Sequence, residues 1–438
     1  MKKDVVKNQA DILAKMKISA LNPMQEATAV AIEEGKDVML ISPTGTGKTL
    51  AFLLPLIPKL VPDKGIQLLI LVPSRELAMQ IEEVLRTMGT GLKVNAVYGG
   101  RSGSLDRMEL KHPPAILVGT PGRVADHLRR EQITTASIRF LVLDEFDKSL
   151  EVGFEKEMKE ILSELQTLKQ RVLTSATELN DLPAFVGVNN AEVIHFESDV
   201  QVNLSLKRIV SPEKDKLNTL FKALCNIGNV NGIVFCNFKE SVDRVSDFLA
   251  QNGISHGCFH GGMEQRDRQN TLLKFRNGSQ RLIIATDLAA RGLDIPEIHF
   301  VLHYQLPPRS QEFIHRNGRT ARMHKEGVAY ILQWEEEQVP DFIDVTEQFD
   351  LQDNTAPPED PAWKTLYISG GRKDKISKGD VAGLFIKQGA LMPSELGVIE
   401  VKRDCAFVAV SAKKAQGLIS KLNNSRLKKK KVRISLLA

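Results

Sequence analysis

Cysteine, tryptophan and tyrosine are scarce in this chain: its 438 residues include four Cys, two Trp and four Tyr. Cys225, Cys236, Cys258 and Cys405 are scattered and form no Cys-x-x-Cys, which argues against a disulfide framework and a zinc site and suits a reducing cytosol. No run of about 18 apolar residues occurs, so no membrane span and no membrane partner are expected. Met1–Lys2–Lys3–Asp4 leads into polar sequence rather than an apolar signal core, so secretion is not expected and a cytoplasmic location is. Basic residues are absent from Glu335 to Pro361, a stretch with ten acidic residues and four prolines. That composition reads as a linker, with room for a partial helix around Asp341–Phe349.

At 42% hydrophobic and 26% charged residues the chain is of globular type, and its length predicts about three domains at ~150 residues each. The net charge of +5 conceals a segregation. Residues 363–438 hold 17 Lys and Arg against 5 Asp and Glu, a net of +12, which leaves −7 on residues 1–362. A small basic domain tethered to an acidic body is the electrostatic footprint of a polyanion binder. A merely solubilising surface mixes both signs, unlike the run Lys428–Lys429–Lys430–Lys431.

The densest chemical signal is Ile41–Ser42–Pro43–Thr44–Gly45–Thr46–Gly47–Lys48–Thr49. It lies between the apolar run Asp37–Leu40 and the helix-compatible Leu50–Leu54. Strand, glycine turn, Gly-Lys-Thr and helix form the context in which backbone N–H groups and a helix N-terminus cradle phosphates. Lys48 would reach the β/γ-phosphates and the Thr49 hydroxyl would hold Mg²⁺. Ser42 stands where the strict pattern has Gly or Ala. Upstream, the Gln25 amide offers donor and acceptor for an adenine edge.

Further apolar runs alternate with helical stretches: 68–72, 94–98, 115–118, 140–143 and 171–174, then again at 232–236, 256–259, 281–285, 298–302 and 328–332. This is the pattern of an α/β chain with parallel sheets, in which ligands sit beyond the carboxyl ends of the strands. Asp144–Glu145 follows one such run. An isolated acid pair is usually a solvated loop. Behind a buried strand and downstream of a phosphate loop, Asp144 is the expected Mg²⁺ anchor and Glu145 the residue that orients the attacking water. In the second half Arg316, Arg319 and Arg322, three apart, are expected on one helical face, as arginine fingers or as a salt-bridged surface.

The ordered set of phosphate loop, Pro73–Ser74–Arg75–Glu76–Leu77–Ala78, Thr120–Pro121–Gly122–Arg123, Asp144–Glu145–Phe146–Asp147, Ser175–Ala176–Thr177, Thr286–Asp287…Arg291–Gly292–Leu293–Asp294 and His315–Arg316…Arg319–Thr320…Arg322 resembles the DEAD-box RNA helicases over residues ~20–333. The resemblance implies two RecA-like lobes with ATP between them and RNA across both. It implies ATP contacts at Gln25, Thr44, Gly45, Thr46, Gly47, Lys48, Thr49 and, at the ribose, Asp294. Lys48, Asp144, Glu145, Arg319 and Arg322 would be catalytic, while Asp147, Ser175 and Thr177 would couple hydrolysis to strand separation. Arg75, Gly99, Gly100, Thr120, Pro121, Gly122 and Arg123 in the first lobe, with Gln265, Arg268, Thr286 and Asp287 in the second, would grip the RNA backbone. Three positions depart from the family: Phe146 for Ala at a turn expected to face the other lobe, and Asn317 and Ala321 for Ile and Gly, with Ala321 favouring helix. No aromatic residue for adenine stacking precedes Gln25.

Residues 363–438 read as β-α-β-β-α-β, the RNA-recognition-motif plan, with a last strand over 431–436. The aromatic pattern of such sheets is a poor match at Arg403–Val408, so charge is the expected basis of binding, from Arg372, Lys373, Lys375, Arg403, Arg426 and Lys428–Lys431. Gly371–Arg372–Lys373–Asp374–Lys375–Ile376 with Gly379–Asp380 resembles the RNA-binding domain of the DbpA subfamily. It implies a hairpin of large-subunit ribosomal RNA and the assembling ribosomal particle as partners. The expected organisation is lobe 1 over 1–205, lobe 2 over 206–334, an acidic linker over 335–362 and the RNA-binding domain over 363–438. The expected activity is RNA-stimulated ATP hydrolysis that unwinds short duplexes, with ATP and Mg²⁺ as cofactors and no obligate protein partner. The rivals are an ATP-gated RNA clamp or annealing chaperone and, less favoured by the motifs, a DNA helicase.

Overall fold

The short apolar runs become strands. A computed structural model describes residues 8–437 apart from 44, 178–181, 189, 197–203, 288–297, 321–326, 346 and 354–355. It divides into two compact units near residue 201.

In the first unit β1 (Val38–Ile41), β2 (Leu68–Leu71), β3 (Val94–Val97), β4 (Ile116–Gly119), β5 (Phe140–Leu143), β6 (Gln170–Ser175) and β7 (Glu192–His195) form a parallel seven-stranded sheet ordered β3-β4-β2-β5-β6-β1-β7. The connections are helical: α1 (Gln9–Met16), α2 (Pro23–Glu33), α3 (Lys48–Leu56), α4 (Arg75–Met88), α5 (Gly103–Leu110), α6 (Pro121–Arg129), α7 (Phe146–Glu151) and α8 (Glu155–Ser163). Both sheet faces are covered, so the strands are continuous apolar runs rather than alternating ones. Helix α4 shows why the helices pack: Leu77, Ala78, Ile81, Leu85 and Met88 recur on one face and are buried, and Ser74 caps its first turn by accepting the Leu77 N–H at 3.2 Å, which contributes about 1 kcal/mol.

The sheet order puts β6 between β1 and β5. The phosphate loop after β1 and the acid pair after β5 therefore emerge on either side of the β6 tip. Phe146 turns away from solvent into the first unit's own core. Its side chain is 0% exposed, in a core with Leu143, Val124, Met158 and Leu173, which corrects the expectation of a lobe-facing turn. The helix begins at Phe146, so this residue turns inward while the acids before it stay at the sheet edge.

The second unit repeats the plan. β8 (Leu204–Ser211), β9 (Gly232–Cys236), β10 (Gly257–Phe259), β11 (Leu282–Thr286), β12 (Phe300–His303), β13 (Gly327–Trp334) and β14 (Glu347–Gln348) are ordered β10-β11-β9-β12-β13-β8-β14, again parallel. The helices are α9 (Leu217–Ile227), α10 (Lys239–Gln251), α11 (Gln265–Arg276) and α12 (Ser310–Asn317). Strand β14 corrects the partial helix expected over 341–349. Glu347 and Gln348 pair with Lys207 and Arg208 on the sheet edge, Ile343 is buried beside Leu306 and Phe313, and Phe349 and Leu351 pack on the unit's core. Three of the ten acids of this segment face lysines: Glu347 with Lys207 at 2.6 Å, Glu337 with Lys216 at 2.8 Å and Asp353 with Lys222 at 2.9 Å.

The tail, part of the same unit, is β15 (Trp363–Ile368), α13 (Lys378–Gly383) running into a π-helical turn over Leu384–Gln388, β16 (Leu396–Val401), β17 (Ala406–Ser411), α14 (Ala415–Leu422), a hairpin β18–β19 (Arg426–Leu427 with Lys430–Lys431) and β20 (Ile434–Leu436). Its four-stranded antiparallel sheet is ordered β16-β17-β15-β20. The single closing strand expected over 431–436 is instead the end of a hairpin followed by β20.

Candidate nucleotide site and nucleic-acid surfaces

Ser42 explains its own departure from the loop pattern. Its N–H donates to Ser175 O at 3.0 Å, and its hydroxyl is 2.7 Å from that of Thr46, whose own proton goes to Pro43 O at 3.0 Å. The hydroxyl thus ties the two sides of the loop. Gly47 has φ +93°, and a Cβ there would stand 2.5 Å from Gln25 Nε2, so only glycine fits. Gln25 donates to Gly47 O at 3.3 Å and accepts the Asn22 N–H at 3.1 Å, while Asn22 Nδ2 donates to Thr46 O at 2.9 Å. The capping box at the start of α2 is thereby clasped to the phosphate loop. Lys48 Nζ donates to Ser42 O and Pro43 O at 2.5 and 3.1 Å, and Thr49 follows it in the first turn of α3, half-buried. Thr44 lies outside the described residues; Gly45 is exposed.

Asp144 and Glu145 directly follow β5. Both are buried, at 3% and 7% exposed. Thr174 on β6 donates its hydroxyl to Asp144 Oδ1 at 2.5 Å and accepts the Glu145 N–H at 3.1 Å. Burial and the Glu145 charge push Asp144 up to about 6, against the opposing pull of Thr174 and Lys48. Glu145 has φ +49°, a left-handed conformation rare outside glycine, and its Oε2 is buried without a hydrogen-bond partner among the described residues. A strained backbone holding an unsatisfied carboxylate oxygen is a local cost of the kind found at functional sites. Thr177 Oγ1 donates to Asp147 Oδ2 at 3.3 Å, and Ser175 Oγ accepts the Thr177 N–H at 3.1 Å. The three residues expected to couple hydrolysis to RNA are thus in one hydrogen-bonded group. Thr174 was missed in the sequence, where the only signal is a hydroxyl ending an apolar strand.

Of the first-unit candidates for RNA contact, Arg75 opens α4 beside Gly99, where a Cβ would stand 3.2 Å from its Nη2. Gly100 takes φ +81°. Thr120 stands at the N-cap position of α6, its hydroxyl making no capping bond, with Pro121 and Gly122 in the first turn. Arg123 donates to Asp106 Oδ2 at 3.0 and 2.9 Å through Nε and Nη2, and Arg101 and His127 reach the same buried carboxylate at 3.2 and 3.1 Å. Burial pushes Asp106 up, but the His127 and Arg123 hydrogen bonds and the Arg101 charge outweigh it and hold the carboxyl below its usual range. Asp106, which no motif marks, fastens α6 to α5 and fixes where Arg123 stands.

In the second unit Gln265 opens α11, and Arg268 lays its guanidinium over the Phe259 ring at 4.8 Å. Thr286 ends β11. Asp287 accepts from Arg316 Nε and Nη2 at 2.7 and 2.6 Å. The expectation of Arg316, Arg319 and Arg322 on one helical face is corrected: α12 ends at Asn317, Arg316 points inward at 1% exposed, and Arg319, 3% exposed, lies beyond the helix. Asp294, Ala321 and Arg322 lie outside the described residues.

The tail's sheet carries Tyr367 opposite Phe407, rings 5.8 Å apart, on the face away from its own core. This face packs on α11. Phe407 and Leu437 share a buried cluster with Leu273, and the Thr365 hydroxyl is 2.7 Å from both Asn277 Nδ2 and Ser279 Oγ. The basic groups lie elsewhere. Arg372, Lys373 and Lys375 form a 3-10 turn and its left-handed cap, Lys373 pairs with Asp404 next to Arg403, and the hairpin presents Lys428, Lys429, Lys430 and Lys431. Lys428 and Lys430 are ion-paired to Asp380 and Asp374, each at 2.8 Å.

A glycine-turn phosphate loop and a buried acid pair at strand tips flanking β6 of a parallel sheet define a RecA-like nucleoside triphosphatase. The chain belongs to the DEAD-box family of ATP-dependent RNA helicases: the DEAD/DEAH box helicase family model matches residues 22–182, the helicase conserved C-terminal domain residues 215–324, and the DbpA RNA binding domain residues 365–436. It is 34% identical to the ATP-dependent RNA helicase DbpA of Escherichia coli (strain K12), over 95% of this chain and 94% of that protein. It is 30% identical to DbpA of Bacillus subtilis (strain 168), over 94% of each. Among solved structures it is similar to S. cerevisiae Dbp5 bound to RNA and ADP BeF3, at TM-score 0.67 and 28% identity over 76% of this chain and 88% of that one. A second is Mss116p bound to ssRNA and AMP-PNP, at TM-score 0.68 and 25% identity over 80% and 79%. No described helix is long and apolar enough to cross a membrane.

Proposed function

We propose that this helicase acts in the cytoplasm on large-subunit ribosomal RNA, opening short duplexes during assembly of the subunit, with its basic tail as the tether. The observation that carries the target is the DbpA-type domain over residues 365–436, within the segment of net charge +12. A polyanion is the partner such charge selects, and the match to an RNA binding domain supports RNA as that polyanion; a ribosomal hairpin is our reading of its target.

In this reading Lys48 and the loop N–H groups hold the β/γ-phosphates, Gln25 reads adenine and Asp294 the ribose. Glu145 aligns the attacking water through its unpartnered oxygen, and Arg319 and Arg322 balance charge on the transferring phosphoryl group. Asp147, Ser175 and Thr177 relay hydrolysis to RNA held by the backbone-gripping residues of both units. The donor set suits Mg²⁺. Thr49 and Asp144 supply hard oxygens, and no three His, Cys, Asp or Glu converge among the described residues, as expected for an ion completed by phosphate and water. When bound, it neutralises charge on the phosphate oxygens.

Lys48→Ala or Glu145→Gln should abolish RNA-stimulated hydrolysis while RNA binding by the tail persists; unchanged turnover would refute the assignment. A strand-displacement assay separates the helicase from the clamp, which predicts hydrolysis without displacement. Activation by DNA as strong as by RNA would favour the DNA helicase.

A further inference from the structure

Arg316 is buried with every N–H donor engaged. Nε and Nη2 bond Asp287, Nη2 also donates to Asn237 Oδ1 at 2.7 Å, and Nη1 donates to Gln305 O at 2.7 Å and faces His303 Nδ1 at 3.4 Å. The fifth bond depends on the imidazole. His303 Nε2 lies 3.0 Å from Asn317 Oδ1. Burial and the Arg316 charge push His303 down to about 3, so the ring is neutral and has one N–H to place. If that proton were on Nδ1, it would oppose the Arg316 N–H. With Asn317 Oδ1 as acceptor the proton belongs on Nε2, and Nδ1 is left as the acceptor Arg316 needs. One orientation satisfies all three side chains, and an isoleucine at 317 could not specify it.

The consequence reaches one turn further. Arg319 N–H donates to Arg316 O at 3.1 Å, and Thr320 N–H to Asn317 O at 3.0 Å. The Thr320 hydroxyl is fixed on Ile298 O at 2.7 Å. The backbone of Arg319 is therefore set by the end of α12 on one side and by Thr320 on the other. We propose that Asn317 and His303 are positioning residues for hydrolysis: by fixing the imidazole tautomer they complete the shell around Arg316 and so set where Arg319 is presented. This rests on the role given to Arg319 above.

The test is Asn317→Ile. It strands the His303 Nε2 proton and frees the ring to turn its other nitrogen on Arg316. RNA-stimulated kcat should fall about tenfold, the scale of one lost charge-assisted hydrogen bond. Affinity for a fluorescent ATP analogue should hold, while the melting midpoint falls modestly because a buried donor loses its acceptor. The double variant His303→Leu with Asn317→Ile, apolar at both positions, should remain slow, because Arg316 still lacks its acceptor. Wild-type turnover in Asn317→Ile overturns the proposal. So does loss of turnover together with a lowered midpoint when the double variant restores both, since the pair would then be only structural. Arg319→Ala, assayed alongside, tells the two failures apart. If hydrolysis survives it, the role of Arg319 falls and the proposal with it. If hydrolysis is lost with Arg319→Ala but intact in Asn317→Ile, the proposal alone falls.

Discussion

Phe407 of the tail and Leu273 of α11 are each more than nine-tenths buried, in one cluster with Leu437. The tail's open sheet face, which in an RNA-recognition fold carries stacking aromatics, is here a protein contact. Leu273→Ala leaves the tail's own core intact and removes about 2–5 kcal/mol of apolar packing from this contact. Limited proteolysis should then cut faster within residues 335–362 than in the parent chain. Identical cleavage rates would show that the contact contributes nothing.

Asp144 gives a pH dependence with a definite sign. Its folded pKa is about 6 against an ordinary 3.8. Between these values the folded chain binds the extra proton, so this group's stabilising contribution is fully present below pH 3.8 and is lost as pH rises through 6. The span is on the order of 2–3 kcal/mol. Asp144→Asn should flatten that part of the stability profile. Because a metal ligand must be ionised, binding of MgATP near pH 6 should release about half a proton, visible as a buffer-dependent heat in calorimetry. No buffer dependence would contradict the assignment of Asp144 as the magnesium ligand.

Phe146 belongs to the core, so Phe146→Ala should act on stability rather than chemistry. A fully buried Phe cut to Ala costs about 3–5 kcal/mol, read as a lower midpoint in urea. Well below that midpoint, RNA-stimulated turnover per folded molecule should stay within about twofold, since Asp144 and the Glu145 backbone are held by Thr174 rather than by Phe146. A selective loss of turnover at unchanged stability would restore Phe146 as a functional departure.

The strands were legible because a doubly covered parallel sheet demands continuous apolar runs, and the phosphate loop because glycine spacing records a backbone need. What escaped was set by partners distant in the chain. The end of α12 depends on Arg316 turning inward to Asp287 and Asn237, whereas arginine spacing alone suggests a surface stripe. Charge alone makes the segment after 335 a linker, but Ile343, Phe349 and Leu351 between the acids place it on the second unit's apolar clusters. Thr174 and Asp106 carry no motif; each matters through the charged groups the fold brings to it.

The hairpin of the tail separates two kinds of lysine. Lys428 and Lys430 are held by Asp380 and Asp374, and the Lys428 ammonium, with the Ser377 hydroxyl, pulls the Asp380 carboxyl down to about 2. Lys429 and Lys431 make no ion pair among the described residues. If RNA phosphates meet this surface, Lys429→Ala should lower the slope of log affinity against log salt by about 0.7–0.9, one contact's worth. Lys430→Ala should cost more affinity than Lys429→Ala at low salt, because it also leaves Asp374 as an uncompensated negative charge beside the RNA. Filter binding of the full chain to a ribosomal hairpin at several salt concentrations checks both. Equal slopes for the parent chain and Lys429→Ala would mean that the tail does not hold RNA by charge at this hairpin.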